Sequence, residues 1–389
     1  MESSYKPFSS QFSLIVLIIA FFAICHVSAS AAPAPAPASF KKIYAFGDSF
    51  TDTGNTRSES GPNGFMHVSN LPYGMTFFRH PTNRYSDGRL VIDFVAETLS
   101  LPYLPPYLNS KADTSHGVNF AIAGSTAINH KFYVRHNITL NLTPQSLQTQ
   151  LTWFRNFLAS RGCQAGKGMP VMPQCKAVMD DALFWVGEIG VNDYAYSFGS
   201  SVSPITIQNL GIKSVSGFVQ ALLDMGAKYI VVQGVPPTGC LPLTLTLAAL
   251  DDRDGMGCVG TANKQMGIHN SLLQGKLDGL QRQYPHAVIS FADYLQAYNT
   301  ILKNKEKYGF KEPFKACCGT GGGNYNFDIL SSCGSREVSK ACVNPSQFVN
   351  WDGIHLTEAM YKVLADLFIR QGFCRPSFAV LLSSKRRGG

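Results

Sequence analysis

The 389-residue sequence has few charged residues, no C-x-x-C spacing and no internal repeat. Asp, Glu, Lys and Arg together make up 15% of the chain, and the residues behind its net charge of +8 are dispersed. The only dense basic run is Lys385–Arg387 at the C-terminus, so the charge pattern does not predict nucleic-acid binding. Without C-x-x-C pairs a zinc site is also disfavoured. The remaining composition is that of an ordinary globular protein.

The N-terminal segment is typical of a secretory signal peptide. Lys6 lies in a short polar start, and residues 12–25 are apolar apart from Ser13. Small residues then lead up to Ala29, as signal peptidase requires. This apolar run is shorter than the ~20 residues that usually span a bilayer. We therefore predict a signal peptide over residues 1–29, with secretion to the cell wall or apoplast and no stable membrane span afterwards. The alternative is an uncleaved anchor, which gives a type II membrane protein of the Golgi.

A spacer, one folded domain and a tail are predicted after the signal peptide. The run AAPAPAPA lies between Ala31 and Ala38, and alternating proline stiffens a chain without supplying core residues. We assign residues 30–40 to a spacer, 41–375 to a single domain and 376–389 to a C-terminal tail. No interdomain linker is visible after residue 40.

Cysteine and asparagine patterns agree with an oxidising, glycosylating compartment. Of ten cysteines, one lies in the predicted signal peptide, which leaves nine in the mature chain. Most of these are expected to pair. The predicted local disulfides are Cys163–Cys175 and Cys240–Cys258. The remaining cluster, whose pairing the sequence leaves open, consists of Cys317, Cys318, Cys333 and Cys342. One thiol is left over, and the glycosylation sequons begin at Asn137 and Asn141.

Short apolar runs alternate with longer amphipathic stretches. The apolar runs predict strands at Lys42–Phe46, Val118–Ala123, Ala182–Val186, Lys228–Gln233 and Ala287–Phe291. Helices are predicted at Arg89–Leu99, Thr143–Ser160, Ser214–Met225, Asn263–Gln283 and Thr357–Gln371. Gly- and Pro-rich segments at 56–88, 234–260 and 310–350 are interpreted as loops. This alternation predicts an α/β protein, a three-layer α/β/α sandwich with a five-stranded parallel sheet. Ligands of such sheets bind beyond the carboxyl ends of the strands.

A serine follows the first predicted strand, in the run FGDSFTDTGN. Ser49 is therefore expected at the carboxyl edge of the sheet. A serine hydroxyl becomes a good nucleophile only when a base takes its proton. The alternative is that Ser49 caps a helix N-terminus, because serine favours that position.

The candidate base lies near the other end of the chain, in the run WDGIHLTE. Asp352 and His355 are close enough in a loop for the carboxylate to accept the imidazole N–H. That contact would fix the histidine tautomer and stabilise its charged form. The alternative is a helix-capping segment, with Thr357 as the cap and Glu358 interacting with the helix dipole.

Two further segments supply candidate hydrogen-bond donors for an oxyanion. Gly124 follows the predicted strand in GVNFAIAGSTA, and Asn192 follows another strand in GEIGVNDY. Acyl transfer requires donors aimed at the negative charge that develops on the carbonyl oxygen. The alternative for each segment is ordinary turn formation. Because the carboxyl ends of parallel strands meet at one edge, all four segments are expected together.

These motifs resemble those of the SGNH hydrolases, and specifically of the plant GDSL esterase/lipase family, from about residue 41 to 375. FGDSFTDTGN, GVNFAIAGSTA, GVND and DGIHLTE occur in the family's order, and CCGTGGGNYNF is close to its plant pattern. The resemblance implies a flavodoxin-like fold. It implies Ser49 as nucleophile, Asp352 and His355 as acid and base, and Gly124, Asn192 and the Ser49 N–H as the oxyanion hole. It implies ester hydrolysis without a metal or organic cofactor.

The resemblance leaves the substrate open. The segments Arg57–Phe77 and Asn129–Asn141 are individual, and we expect them to shape the acyl and alcohol pockets. Small-molecule and polysaccharide esters both remain candidates, as does transfer of the acyl group to a sugar or specialised metabolite. A Golgi-anchored polysaccharide deacetylase and a non-enzymatic binding protein are further alternatives. The G-x-S-x-G pentapeptide of α/β-hydrolases is absent, since Gly47 and Ser49 have no glycine at position 51. Oligomeric state is not predicted.

Overall fold

The computed structural model describes residues 40–57, 67–140, 143–164, 172–320 and 322–388, together with 1–2, 166 and 168. The chain divides into the units Met1–Ala38 and Ser39–Gly389, and the second of these is described below. Nearly all of the predicted signal peptide and of the predicted spacer lies outside the described residues, as does Asn141. Within those ranges, none of the helices combines the length and apolar character that a membrane crossing requires.

Eight strands occur in the described residues. In chain order they are β1 Lys42–Phe46, β2 Gly117–Asn119, β3 Ala182–Val186, β4 Tyr229–Gln233, β5 Val288–Ala292, β6 Glu312–Ala316, β7 Phe348–Asn350 and β8 Cys374–Arg375. Six of them form the central sheet, in the order β2-β1-β3-β4-β5-β8. The first five pair in parallel, which confirms the predicted five parallel strands. The short β8 adds a sixth strand, antiparallel to β5, which the sequence analysis did not predict.

The same parts of the chain contain eleven helices. They are α1 Val91–Thr98, α2 His130–Arg135, α3 Leu147–Ser160, α4 Pro173–Met179, α5 Val191–Ser197, α6 Pro204–Asp224, α7 Pro242–Leu247, α8 Gly260–Gln283, α9 Tyr294–Lys303, α10 Glu358–Arg370 and α11 Phe378–Gly388.

Helices cover both faces of the sheet. Successive side chains of a strand point to opposite faces. On β1, Ile43 and Ala45 pack into a core with α1, α9 and α10. The alternate residues Tyr44 and Phe46 pack into a second core with α3, α6 and α8. This is why the strands are apolar without a break, and it confirms the three-layer arrangement.

Several boundaries differ from the prediction for local reasons. The strand predicted at Val118–Ala123 ends at Asn119, whose side-chain oxygen accepts the N–H of Ala121 at 2.8 Å. Helix α6 begins ten residues before the predicted Ser214 because Ser203 caps it, and this signal was overlooked. The segments 234–260 and 310–350, interpreted as loops, contain α7 and the two-stranded β6–β7 sheet.

The C-terminal residues 376–389 were assigned to a tail, but most of them form α11 on the core. Phe378 and Leu381 are fully buried. Lys385, from the dense basic run, contacts Asp181 with its ammonium nitrogen 2.6 Å from a carboxylate oxygen. The helix therefore packs beside the edge of the sheet near β5 and β8. Part of the charge of the basic run Lys385–Arg387 is neutralised by the ion pair with Asp181.

Four disulfides are formed in the described residues. Two of them are the predicted local bridges, Cys163–Cys175 and Cys240–Cys258. The cluster pairs as Cys317–Cys342 and Cys318–Cys333, which the sequence left open, and Cys374 is the free, buried thiol. Asn137, the described sequon asparagine, is exposed to solvent.

Candidate active site

Ser49 lies in a tight turn directly beyond the end of β1. Gly47 leaves the strand with φ +142°, and a Cβ there would lie 3.1 Å from the carbonyl oxygen of Glu188. The carbonyl of Asp48 accepts the N–H of Thr51 at 3.1 Å, which closes the turn. Ser49 therefore lies at the carboxyl edge of the sheet and not at the start of a helix.

A buried glutamine on α3 fixes this turn. The side-chain oxygen of Gln150 accepts the N–H of Gly47 at 2.9 Å, and its nitrogen donates to the Gly47 carbonyl at 2.8 Å. The same nitrogen donates to the hydroxyl of Ser125 at 2.9 Å. Gln150 thus joins the turn that carries Ser49 to the turn that carries Gly124. The sequence analysis missed this residue, because nothing local marks a polar residue on a helix face as a contact 103 positions away.

The structure brings Ser49, His355 and Asp352 together. The Ser49 hydroxyl oxygen lies 2.7 Å from Nε2 of His355. Nδ1 of that imidazole lies 2.8 Å from Oδ2 of Asp352. Ser49 is 5% exposed and His355 4%, so the contact is shielded from solvent. A hydroxyl, an imidazole and a carboxylate in this series allow the histidine to take the serine proton while the carboxylate holds its tautomer.

The Asp352 carboxylate accepts hydrogen bonds from three further donors. The N–H groups of Ile354 and His355 lie 3.1 and 2.8 Å from Oδ1, and the hydroxyl of Tyr73 donates to Oδ2 at 2.7 Å. Burial alone would raise the pKa of Asp352. The positive charge of His355 and these hydrogen bonds outweigh burial and hold that pKa below its ordinary value. Asp352 therefore stays ionised beside the imidazole.

A glycine turn sets the spacing between the acid and the base. Gly353 has φ +95°, and a Cβ there would lie 2.1 Å from the ring of Phe327. Thr357 caps α10 by accepting the N–H of Met360 at 3.2 Å. The capping alternative is therefore correct for Thr357, and it coexists with the contact between Asp352 and His355, which lie five and two residues earlier.

The disulfide cluster holds the chain just before the acid. The N–H of Cys318 donates to the carbonyl of Trp351 at 2.7 Å, and that of Cys317 donates to the carbonyl of Asn350 at 3.0 Å. Trp351 is fully buried against both bridges and against Tyr73. These contacts fix the backbone directly before Asp352.

Asn192 connects the remaining segments. Its side-chain nitrogen donates to Oδ2 of Asp48 and to the carbonyl of Ser125, each at 3.0 Å. Gly124, next to Ser125, has φ +75°, and its carbonyl accepts the hydroxyl of Tyr196 at 2.9 Å. The four segments singled out from the sequence therefore do meet at one edge of the sheet.

Residues 129–140 support this edge. The carboxylate of Asp193 accepts the N–H groups of Ala127 and Ile128 at 2.8 and 2.9 Å, and the hydroxyl of Tyr133 on α2 at 2.7 Å. These bonds fasten the first turn of α5, which carries Asn192, to the chain that follows Gly124. Tyr133 thus gives the segment a structural role that was not predicted.

A serine whose hydroxyl contacts a histidine backed by a carboxylate, at the carboxyl edge of a parallel α/β sheet, is the arrangement of a serine hydrolase. Residues 43–368 match the family model of GDSL-like lipases and acylhydrolases. The chain belongs to this family, and it is an ester-hydrolysing enzyme.

Plant enzymes are among its relatives. A GDSL esterase/lipase of Arabidopsis thaliana is 51% identical over 99% of each chain. A sinapine esterase of Brassica napus is 39% identical over 87% of each chain. An acetylajmalan esterase of Rauvolfia serpentina is 37% identical over 95% of this chain and 97% of its own. A solved acetylxylan esterase of Geobacillus stearothermophilus aligns with a TM-score of 0.38 at 13% identity, covering 85% of this chain and 93% of its own.

Tyr73→Phe is expected to lower kcat/KM by roughly tenfold or more, since a hydrogen bond to a charged group contributes about 1.5–3 kcal/mol and about 1.4 kcal/mol corresponds to a factor of ten. In the parent, the hydrogen bond from Tyr73 lowers the pKa of Asp352. Its removal should raise that pKa, so the acidic limb of the pH–activity profile should move to higher pH. Steady-state kinetics from pH 3 to 8 measure both effects. Tyr44→Phe is the control, because its hydroxyl is buried against Val178 away from Ser49. An acidic limb that stays in place would contradict the assigned role of Tyr73.

Proposed function

We propose that the protein is a secreted carboxylic ester hydrolase that works through an acyl-serine intermediate. The observation that carries this proposal is the 2.7 Å contact between the Ser49 hydroxyl and Nε2 of His355, with Asp352 2.8 Å behind Nδ1. Family membership supports the ester as the bond that is broken.

In the acylation step Ser49 attacks the ester carbonyl carbon while His355 takes the hydroxyl proton. The carbonyl oxygen becomes an oxyanion, and the imidazolium is stabilised by the Asp352 carboxylate. When the tetrahedral intermediate collapses, the C–O bond to the alcohol breaks and His355 gives its proton to the departing oxygen. The products are a free alcohol and an acyl-Ser49 ester.

Three donors are proposed for the oxyanion: the N–H groups of Ser49 and Gly124 and the side-chain amide of Asn192. They are supported by the way Asn192 connects the Asp48 and Ser125 turns at 3.0 Å on each side. Donors held this way stabilise charge that develops only in the transition state, without reorganising during the reaction.

Deacylation repeats the same chemistry with water. His355 takes a proton from water, the resulting hydroxide adds to the acyl carbon, and His355 returns the proton to Ser49 as the acid leaves. The chain's own side chains supply every proton transfer in this cycle.

A small-molecule ester is the proposed substrate class. The sinapine and acetylajmalan esterases are named for small esters and share about two-fifths of the sequence across most of the chain. Secretion is supported by the apolar segment at residues 12–25 and by four disulfides, which form in oxidising compartments.

A labelling experiment tests the proposal. Residues 30–389, expressed through a secretory host, would be treated with a fluorophosphonate probe and assayed with p-nitrophenyl esters of increasing acyl length. We expect one probe adduct, on the peptide that contains Ser49, and hydrolysis of short acyl esters. A folded protein that takes up no probe and turns over no ester would refute the proposal. Labelling without hydrolysis, followed by acyl transfer to an added alcohol, would replace the hydrolase by an acyltransferase.

A further inference from the structure

Two carboxyl groups are buried together beneath the nucleophile. Asp48 is 1% exposed and Glu188 is completely buried, and the two side chains interact with each other. Burial raises the pKa of both groups, and the neighbouring charge of Asp48 raises that of Glu188 further. Two adjacent carboxyls in a buried site do not both ionise, so they share a proton.

The hydrogen-bond pattern places this proton on Glu188. Asp48 accepts the N–H of Phe50 at 3.0 Å on Oδ1 and the amide of Asn192 at 3.0 Å on Oδ2, as an ionised carboxylate does. Oε1 of Glu188 accepts the N–H of Val191 at 3.2 Å, whereas Oε2 is buried and receives no N–H or O–H donor. A buried oxygen without a donor is costly as part of a carboxylate but not as a hydroxyl.

The same pair contacts the segment that carries the proposed oxyanion donor at two points, Asp48 at Asn192 itself and Glu188 at the preceding Val191. An amide nitrogen has two hydrogens, and those of Asn192 point at Asp48 and at the Ser125 carbonyl. An oxyanion in the site must share one of these hydrogens. A protonated Glu188 can stabilise Asp48 when that happens, by donating its hydrogen to the Asp48 carboxylate. Glu188 also accepts the N–H of Val191, the residue before Asn192.

We propose that Glu188 is a positioning residue, whose carboxylic acid donates to Asp48 and thereby aligns the Asn192 amide for the oxyanion. This inference rests on the proposed function, since it requires Asn192 to be an oxyanion donor. Glu188 does not touch the substrate and acts through Asp48. It is encoded two residues beyond the end of β3, where GEIG precedes the asparagine.

Two substitutions at Glu188 distinguish the loss of its hydrogen-bond donor from a loss of folding. Glu188→Leu keeps an apolar side chain of similar size but donates nothing, whereas Glu188→Gln keeps a donor toward Asp48. Glu358→Gln is the matched control, because Glu358 is 8% exposed and pairs with Arg89 outside the site. The readouts are kcat and KM for p-nitrophenyl acetate, the inhibition constant of phenylboronic acid, and the midpoint of thermal unfolding. Phenylboronic acid forms a tetrahedral adduct on the serine and so reports the oxyanion donors.

We expect Glu188→Leu to lower kcat about tenfold, less than the ~100-fold or greater loss from removing an oxyanion donor outright. KM should change by less than about twofold, and the boronate inhibition constant should rise by the same factor as kcat falls, because both depend on the oxyanion donors. Glu188→Gln should restore both values to within about threefold of the parent, and Glu358→Gln should leave them unchanged.

Several results would overturn the inference. An unchanged kcat in Glu188→Leu would do so, as would a lowered kcat with unchanged boronate affinity, or a loss in Glu188→Gln as large as in Glu188→Leu. If Glu188→Leu does not fold, Asp48→Asn decides. Its NH₂ would have to face either the N–H of Phe50 or the amide of Asn192, both of which donate to Asp48 in the parent, so an undiminished kcat there overturns the proposal. Full activity in Asn192→Ala would instead refute the oxyanion assignment in the proposed function.

Discussion

Ser49→Ala should reduce ester hydrolysis by ~10⁴-fold or more, because removing the nucleophile of a serine hydrolase disables the whole triad at once. The hydroxyl is the atom that contacts His355 at 2.7 Å, and in the proposed mechanism no acyl-enzyme forms without it. The variant should fold, since the change deletes one oxygen from a turn. That turn is held by hydrogen bonds between Gln150 and Gly47, which do not involve the Ser49 hydroxyl. Hydrolysis of p-nitrophenyl acetate and uptake of a fluorophosphonate probe measure the loss.

Ser290→Ala is the matched control for Ser49. Ser290 lies on β5, is fully buried, and donates its hydroxyl hydrogen to the carbonyl of Pro376 at 2.6 Å. Losing that bond should lower stability by about 1 kcal/mol without altering kcat. If Ser49→Ala retained more than a few per cent of the parent's activity, with probe uptake unchanged, Ser49 would not be the nucleophile.

Asp352→Asn should lower kcat about 10⁴-fold, the loss seen when this carboxylate becomes an amide in other triads. The Asp352 carboxylate accepts hydrogen bonds from the Tyr73 hydroxyl and the backbone N–H of Ile354. It also accepts the backbone N–H and the ring Nδ1–H of His355. An amide has one accepting oxygen, so its NH₂ must face one of these donors. The imidazole would then adopt the other tautomer and place a hydrogen, not a lone pair, toward Ser49. Stopped-flow or steady-state ester hydrolysis at neutral pH measures the effect.

The stability of Asp352→Asn gives a second readout with a defined sign. Because the folded state holds the pKa of Asp352 below its ordinary value of 3.8, the ionised carboxylate stabilises the fold above that pH. The stabilisation is lost as pH falls through the lower, folded-state pKa. The gap in unfolding free energy between parent and variant should therefore narrow below pH 3.8. Glu358→Gln provides the comparison at a carboxylate outside the site, and a gap that widens in acid would contradict this assignment.

The parallel sheet and the residues at its edge could be predicted because the information is local. Unbroken apolar runs such as Ala182–Val186 predict buried strands, and Ser49 and Asn192 each follow one closely. The carboxyl-end rule then brings distant segments together without any knowledge of their contacts. The same reasoning fails for β8, because two residues, Cys374 and Arg375, show no periodicity.

The supporting residues could not be predicted because their roles depend on long-range packing. Tyr73 lies in a segment expected to shape a substrate pocket, yet it contacts a carboxylate 279 positions away. Gln150 is an ordinary polar residue on an amphipathic helix until α3 packs on the sheet. Glu188 differs from a surface acid only by being buried, and the neighbouring residues in the sequence do not predict the burial of a single residue. In each case the sequence identifies the donor or acceptor but not its partner.

The two halves of the Ser49–His355 contact are encoded 306 positions apart. During synthesis the proposed nucleophile is therefore made first and its proposed base almost last, after the four cysteines whose bridges lie behind Asp352. For most of its translation the growing chain contains Ser49 but does not yet contain His355. The order of residues along the polypeptide therefore means that the Ser49–His355 contact can form only after residue 355 has been added to the chain.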